Sequence, residues 1–423
     1  MNEVFRIAIR NVTRHKRRAL LTGITMVVGL GLFIAMDSLL AGVDQLSINN
    51  MINLSDSSVR IYTKAYDADR QSLPLDNGIT DTAAVAAKLA TDPDVVATTN
   101  RTQFVAQISN YRDATYAVGT VVDPATDTKV FTLKDHMTGN FFGDPVAPGS
   151  ADRRVVMGKS LADKLGLKLG GIVVISAQTR YDAQNADDFR IVGLLTTGDA
   201  TIDSSSLFIT YDAANDFLDL GGLVTEMDVA MQKKANLNGT EREAVRAAAL
   251  VGAAFPDLRP YTFQELAKSL IEILKVKRMW TYVLIFVILL IAAVGIANSV
   301  LMSVYERIRE VGVLKALGFR KREVLWMFTF EGLFVGLAGS VVGGLFGILL
   351  DWYLVAIGIP LGGKGESISA SAGMAFGDTL RGTWNVGTII FAVIFGLVIA
   401  LVAGIIPARR AAKMTATAAL RFA

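Results

Sequence analysis

Four long stretches with almost no charge constrain this chain more than anything else in it. Residues 19–36, 279–305 and 382–408 contain no charged side chain, and residues 324–350 contain one, Glu331. A bilayer core offers the backbone no water, so a crossing segment must satisfy its own hydrogen bonds as a helix of about 20 apolar residues. Four crossings fit. A wholly soluble chain is excluded, because 52% of the 423 residues are hydrophobic, only 19% are charged and the mean hydropathy is +0.42.

The first stretch could instead be a secretory signal, since Arg14, Lys16, Arg17 and Arg18 precede it and Ala41 and Gly42 follow. Its apolar core exceeds the ~7–15 residues of such a signal, and a lipoprotein cleavage site would need a cysteine. The chain has none, which also removes disulfides, thiolate catalysis and cysteine metal sites. His15 and His136 stand outside any paired-ligand spacing, so a zinc hydrolase is not expected.

Charge sets the orientation. Residues 1–18, 304–323 and 409–423 together carry sixteen bases against four acids, whereas residues 43–278 carry 24 bases against 30 acids. Bases stay on the cytoplasmic side, which places both termini and the 306–323 loop there and residues 43–278 outside. The net charge of +3 hides this asymmetry, and a nucleic-acid partner is not implied by it. The basic clusters are read instead as orientation anchors that touch membrane lipid.

The expected fold is an α-helical membrane protein with four transmembrane helices and a large α+β extracytoplasmic domain inserted between helices 1 and 2. In order, residues 1–18 form a basic cytoplasmic segment, 19–42 the first span and 43–278 the external domain, which ends in a stalk helix. Residues 279–305 form the second span, 306–323 a cytoplasmic coupling loop and 324–350 the third span. An external loop over 351–385, a fourth span over 386–408 and a cytoplasmic tail over 409–423 complete the chain. Within the external domain, strands are predicted at 59–63, 118–122, 155–157, 173–176, 189–194, 207–210 and 227–231. Helices are predicted at 82–90, 160–165, 213–218 and 241–254. Residues 263–277 have helical spacing of Leu266, Leu270, Ile273 and Leu274 with no Pro or Gly before the second span, which predicts a continuous rod into the bilayer, the alternative being an amphipathic helix packed on its own domain before a break.

Gly158-Lys159-Ser160 suggests a phosphate loop, but that motif needs a glycine five positions earlier, where Arg153 stands. It reads better as a strand end, a helix and the glycine stop at Gly166. No Walker motif occurs elsewhere, so the chain is not expected to be an enzyme by itself. In the 306–323 loop, acids and bases alternate on one side, Val311, Leu314 and Leu317 recur on another, and Gly318 closes a short amphipathic helix. Such a helix either rests on lipid or docks in a partner groove, with Glu310 and Lys315 setting register at the rim. In the third span, Gly332, Gly336, Ser340 and Gly344 form one row and Gly339, Gly343 and Gly347 a second. Small rows let helix backbones approach closely, and a dimer face is one reading of them. Glu331 is expected to snorkel or pair with a loop base, and Asp37 to mark the outer boundary of the first span.

These residues resemble the FtsX-like/MacB-like permeases of ABC transporters, the mechanotransmission or type VII group. The resemblance is most specific at Arg307-Ile308-Arg309-Glu310-Val311-Gly312-Val313-Leu314-Lys315-Ala316-Leu317-Gly318, which is similar to the family's "RxREIGxLKAxG" coupling segment. The tail from Pro407 through Arg409, Arg410 and Lys413 to Arg421 is similar to "PAxRAAxxxPxxALR", with Ala416 where a proline is usual. Gly158 to Ala162 with Leu165-Gly166-Leu167 resembles "GxxLAxxLGL", and Phe189 to Gly193 followed by Gly198 and Asp203 resembles "FxVxGxxxTGxxxxD". The external tracts look closest to the lipoprotein-releasing branch.

The resemblance implies a porter-like subdomain interrupted by a sabre-like one, and a coupling helix carried by Arg309, Glu310, Val311, Leu314, Lys315, Leu317 and Gly318. It implies an ABC ATPase dimer that binds the ATP, a second permease in a homo- or heterodimer, and no cofactor on this chain. A lipoprotein or other amphiphile would be the substrate, with a periplasmic chaperone or adaptor as a further partner. The place would be the bacterial inner membrane. The alternatives are a drug or peptide efflux permease and a signalling platform that activates a cell-wall hydrolase.

Overall fold

The structure is a computed structural model that describes residues 16–142, 153–232, 237–306, 308–361 and 379–415. Arg307, the tail beyond Thr415 with Ala416 and Arg421, and most of the basic segment 1–18 lie outside the described residues. The chain divides into a membrane unit, built from its two ends and residues 273–360, and an α+β unit built mainly from residues 45–272.

Four helices of the membrane unit are long and apolar enough to cross a bilayer: Lys16–Met51, Lys268–Glu306, Lys321–Ala356 and Val386–Lys413. At 1.5 Å per residue, the first two reach roughly 54 and 58 Å, well beyond a hydrocarbon core of about 30 Å. The first therefore outruns the span expected at 19–42, because nothing between Gly42 and Met51 breaks a helix and Asp44, Gln45 and Asn49 keep its far end polar. The rod expected from residue 263 is interrupted once. Phe263–Leu266 is a single turn, started by Thr262 with Glu265 accepting from its backbone N–H at 3.0 Å, and Ala267 separates it from the long helix.

In the α+β unit, ten strands form one sheet. They are β1 (Val59–Thr63), β2 (Val95–Ser109), β3 (Ala114–Val122), β4 (Met137–Gly139), β5 (Arg154–Gly158), β6 (Ile172–Gln178), β7 (Gln184–Leu195), β8 (Ser206–Thr210), β9 (Glu226–Met231) and β10 (Leu258–Thr262). Four of them run in the order β10-β1-β9-β2, every neighbour antiparallel. The helix Thr82–Leu89 connects β1 to β2 and Leu237–Ala254 connects β9 to β10, so two βαβ units interleave as in a split βαβ fold. Strands β3 to β8 are inserted between β2 and β9. This is how one subdomain comes to be interrupted by another while sharing its sheet.

The side-chain alternation of the inserted strands explains why they read as unbroken apolar runs. Val155, Met157, Leu207, Ile209 and Val121 enter one buried cluster, whereas Val156, Phe208 and Val122 enter a second. Successive residues of a strand point to opposite faces, so each of these strands is covered on both sides. Helix Lys159–Lys164 follows β5 directly, and Gly158 lies so close to Asp203 that a Cβ would stand 2.2 Å from its carbonyl oxygen. Asp203 in turn accepts from Thr197 N, Thr197 Oγ1 and Gly198 N at 2.8–2.9 Å. The Gly158-Lys159-Ser160 and Thr197-Gly198 to Asp203 segments thus brace one another.

Candidate coupling site

The loop between the second and third spans forms the helix Ile308–Ala316. Its end is fixed by backbone chemistry. Gly318 N–H donates to Lys315 O at 3.1 Å, Phe319 N–H donates to Leu314 O at 3.0 Å, and Gly318 has φ +97°. That is a Schellman stop, with glycine at the position that requires the left-handed region and with Leu314 and Phe319 as the paired apolar residues. The third span starts three residues later, where Glu323 accepts from Arg320 N–H at 2.7 Å.

The helix has two working faces. Ile308, Val311 and Gly312 are buried, Val311 belongs to the apolar core of the membrane unit, and Leu314 packs against that core. Val313 and Leu317 are 49% and 75% exposed, and Arg309 and Glu310 are exposed with them. The apolar docking face expected at Val311, Leu314 and Leu317 is therefore corrected. A nine-residue helix tied to its own bundle must spend one stripe on that bundle, and what remains for a partner is Val313 with Leu317.

Lys315 is also corrected. It does not stand at a rim, because its Nζ donates to Ala412 O at 2.8 Å and to Met414 O. Those carbonyls end the fourth span, where the last turn of a helix lacks internal donors and carries partial negative charge. Desolvation, and then Lys321 nearby, lower its pKa. Ala408 and Ala411 are buried in the same cluster as Val311. The two segments that resemble the family most closely, the loop and the tail, form one assembly. Sequence reasoning missed this tie, because Lys315 and its acceptors stand 97 and 99 residues apart and no local pattern links them.

The glycine rows pack within the chain. A Cβ on Gly336 would lie 2.0 Å from Ala400 Cβ, and one on Gly332 would lie 3.2 Å from Gly404 Cα and 3.1 Å from Val300 Cγ2, so that row faces the fourth span and, at Gly332, the second as well. On Gly339, Gly343 and Gly347 it would meet Met26 at 3.0 Å, Leu30 at 3.1 Å and Ile34 at 2.5 Å, so the second row faces the first span. Both rows are used up inside the monomer, which leaves no dimer face on them. Glu331 is buried, with no snorkelling to the surface.

At the other end of the bundle, polar groups that look isolated in sequence come together. Ser38 Oγ donates to Asp351 and to Thr383 O at 3.2 Å, and Asn385 Nδ2 donates to Asp37 Oδ2 at 3.1 Å. Lys277 Nζ pairs with Asp44, linking the extensions of the first two spans. Asp37 is a clasp between spans as well as a boundary.

The α+β unit holds a second charged centre away from the loop. Arg60 on β1 meets Asp228 of β9 at 2.7 Å and Glu226 at 3.7 Å, and Arg101 on β2 pairs with Asp127 at 2.7 Å. Arg60 also reaches Asp56 at 3.3 Å, in the π-helical turn Ile52–Asp56 that ends the first long helix. Burial pushes Glu226 up to about 7 and raises Asp56 and Asp127. No group of His, Asp and Glu suited to a metal exists among the described residues.

Comparison with known proteins agrees with both units. A family model described as MacB-like periplasmic core domain matches residues 19–247, and one described as FtsX-like permease C-terminal matches residues 282–416. The lipoprotein-releasing system transmembrane protein LolC of Neisseria meningitidis is 24% identical over 71% of this chain and 71% of its own. The uncharacterized ABC transporter permease YknZ of Bacillus subtilis is 24% identical over 99% of each chain. An uncharacterized ABC transporter permease of Methanocaldococcus jannaschii is 28% identical over 55% of each, so the chain spans about half the length of that relative. With the core-domain match alone covering more than half of its residues, this chain belongs to the ABC transporter permeases that join a MacB-like periplasmic core domain to an FtsX-like membrane unit.

Proposed function

We propose that the chain is the permease half of an ABC system in which a separate ATPase dimer drives motion of the extracytoplasmic unit and so expels a lipoprotein from the inner membrane. It works as a homo- or heterodimer, binds no ATP itself, and hands its substrate to a periplasmic chaperone. The observation that carries this reading is the two-faced loop helix. One stripe is tied to the bundle through Val311, Leu314 and Lys315, while Val313 and Leu317 stay exposed beside Arg309 and Glu310. A helix held that firmly passes a push to the spans it is tied to, and an exposed apolar pair with flanking charges suits a protein groove. The relative named for lipoprotein release supports the substrate class.

The test uses the full chain co-expressed with its cognate ATPase. Leu317→Asp would put a carboxylate into a dry groove, at a cost of several kcal/mol on the order of a broken buried pair. Co-purification should fall at least tenfold, and release of a reconstituted lipoprotein from proteoliposomes should stop. A variant that keeps its ATPase and transports normally sinks the coupling role. Intact coupling with export of a small drug in place of a lipoprotein sinks only the substrate.

A further inference from the structure

Where the third span begins and the fourth ends, Lys321, Arg322, Arg409 and Lys413 line one cavity of about 360 Å³ together with Leu325 and Ala412. That space is many times what one water needs and far short of what a whole lipid would fill. The four cations are exposed, Leu325 is half-buried and Ala412 is buried, so the opening is basic and the base is apolar. Among the described residues none of the four has an ion-pair partner. Four like charges around one small space repel each other, and Lys315, close enough to Lys321 to feel it, adds a fifth. Beyond the cavity lining, the third span carries aromatic side chains on the face that begins at Arg322. One turn after Arg322 stands Trp326, 44% exposed, and its ring stacks on Phe330 at 5.4 Å. A base, then an exposed indole, then a second ring on one helix face is the order in which a lipid presents phosphate, interface and acyl chain.

We propose that this cavity binds the phosphodiester headgroup of an anionic phospholipid, whose acyl chain lies along Leu325 and the Trp326–Phe330 face. Charge complementarity selects the phosphate, and the apolar base and aromatic face select a membrane lipid over a free ion. The site stands on the cavity alone and does not depend on lipoprotein release. It bears on coupling because Lys315 and the tail carbonyls adjoin it, so an occupied cavity would neutralise the charge that works against closing the loop and the tail together.

The test is lipid binding to the purified full-length chain by native mass spectrometry, with phosphatidylglycerol, phosphatidylcholine and inorganic phosphate as probes. Each base near an anionic headgroup is worth about fivefold, so Arg322→Gln/Arg409→Gln should weaken phosphatidylglycerol binding roughly thirtyfold and leave phosphatidylcholine unchanged. Lys321→Gln/Lys413→Gln removes the other half of the rim and gives a second route if the first variant folds poorly. The control is Arg320→Gln/Arg410→Gln, which removes two bases at the same level outside the cavity, Arg410 lining a separate one with Asn298. It should lose at least fivefold less than the cavity variants. Equal losses in the control would reduce the site to general surface attraction and overturn the proposal. Saturation and displacement by inorganic phosphate would reassign it to a free anion, and unchanged lipid affinity with lost ATPase co-purification would reassign it to protein docking.

Discussion

Gly336→Ala is the sharpest test of the packing described for the third span. The added methyl would stand 2.0 Å from Ala400 Cβ, where carbon atoms rest at about 3.5–4.0 Å, so the helices must part by roughly 1.5 Å. That separation cannot stay local, because Gly332 touches Gly404 and Gly396 touches Ser340 along the same seam. In a bilayer no hydrophobic effect holds helices together, so the lost dispersion contacts are felt directly. Overpacking of this kind costs about 1–3 kcal/mol, against a helix-propensity gain of up to about 1 kcal/mol for replacing glycine. Thermal unfolding of the purified chain in detergent should show Gly336→Ala destabilised. Gly295→Ala, where nothing lies within 4 Å, should be neutral or slightly stabilised. Ala400→Gly removes the atom that the new methyl meets, so the double variant should recover at least about 1 kcal/mol beyond additivity. Effects that add within about 0.5 kcal/mol would refute the contact itself.

Three further outcomes follow from named groups. Glu226, raised to about 7 from an ordinary 4.5, contributes stability that is full below about pH 4.5 and lost as pH rises through 7. The unfolding midpoint of the full chain should accordingly fall between pH 5 and 8, and Glu226→Gln should flatten that fall, by an amount worth roughly 1–3 kcal/mol. Lys315→Met removes the donor to Ala412 O and Met414 O, so proteolysis near residue 414 should quicken while the rest of the chain stays protected. In this cysteine-free chain, Tyr181→Cys should react with an impermeant reagent once the outer barrier is opened, and Leu317→Cys should not react in intact cells. The reverse pattern would invert the orientation drawn from the charge asymmetry.

What could be read from the sequence, and what could not, divides along the distance between interacting residues. The spans were legible because apolar runs and their basic flanks are local signals, as were the 3.6-residue period of the loop helix and its stop at Gly318. Most strands of the α+β unit were legible too, since β5 and β8 are short apolar runs and β9 alternates Met227, Val229 and Met231. The longest strand, β2, was missed because its buried residues include Thr99, Arg101 and Thr102, whose partners Thr126, Asp127 and Leu223 come from other elements. The same reason hid Arg60 with Asp228, Ser38 with Asp351, and Lys315 with the tail, each a pairing across dozens to hundreds of residues. The glycine rows were visible, but their partners were not. A row of small residues states that something comes close, and only the structure says that the something is the first span on one side and the fourth on the other.

The packing has a consequence for how a push on the loop would travel. The third span contacts the first through Gly339, Gly343 and Gly347 and the fourth through Gly332 and Gly336, at positions where even one added methyl would meet a neighbour within about 3.2 Å. Interfaces of that density transmit displacement without absorbing it. The second span is the least buried of the four; it meets the first at Ile288 against Gly29 and at the Lys277–Asp44 pair, and the third at Val300 and Ile296 against Gly332. The loop helix lies between the second and third spans in the chain, but its buried stripe and Lys315 commit it to the bundle core and to the end of the fourth. A push at Val313 and Leu317 would therefore load the first, third and fourth spans through that core. The end of the second span nearest the loop is held by Ile296, Val300 and Val304 in that same core, and its helix continues without a break from Glu306 back to Lys268, so a push on the loop would reach both the block and this helix.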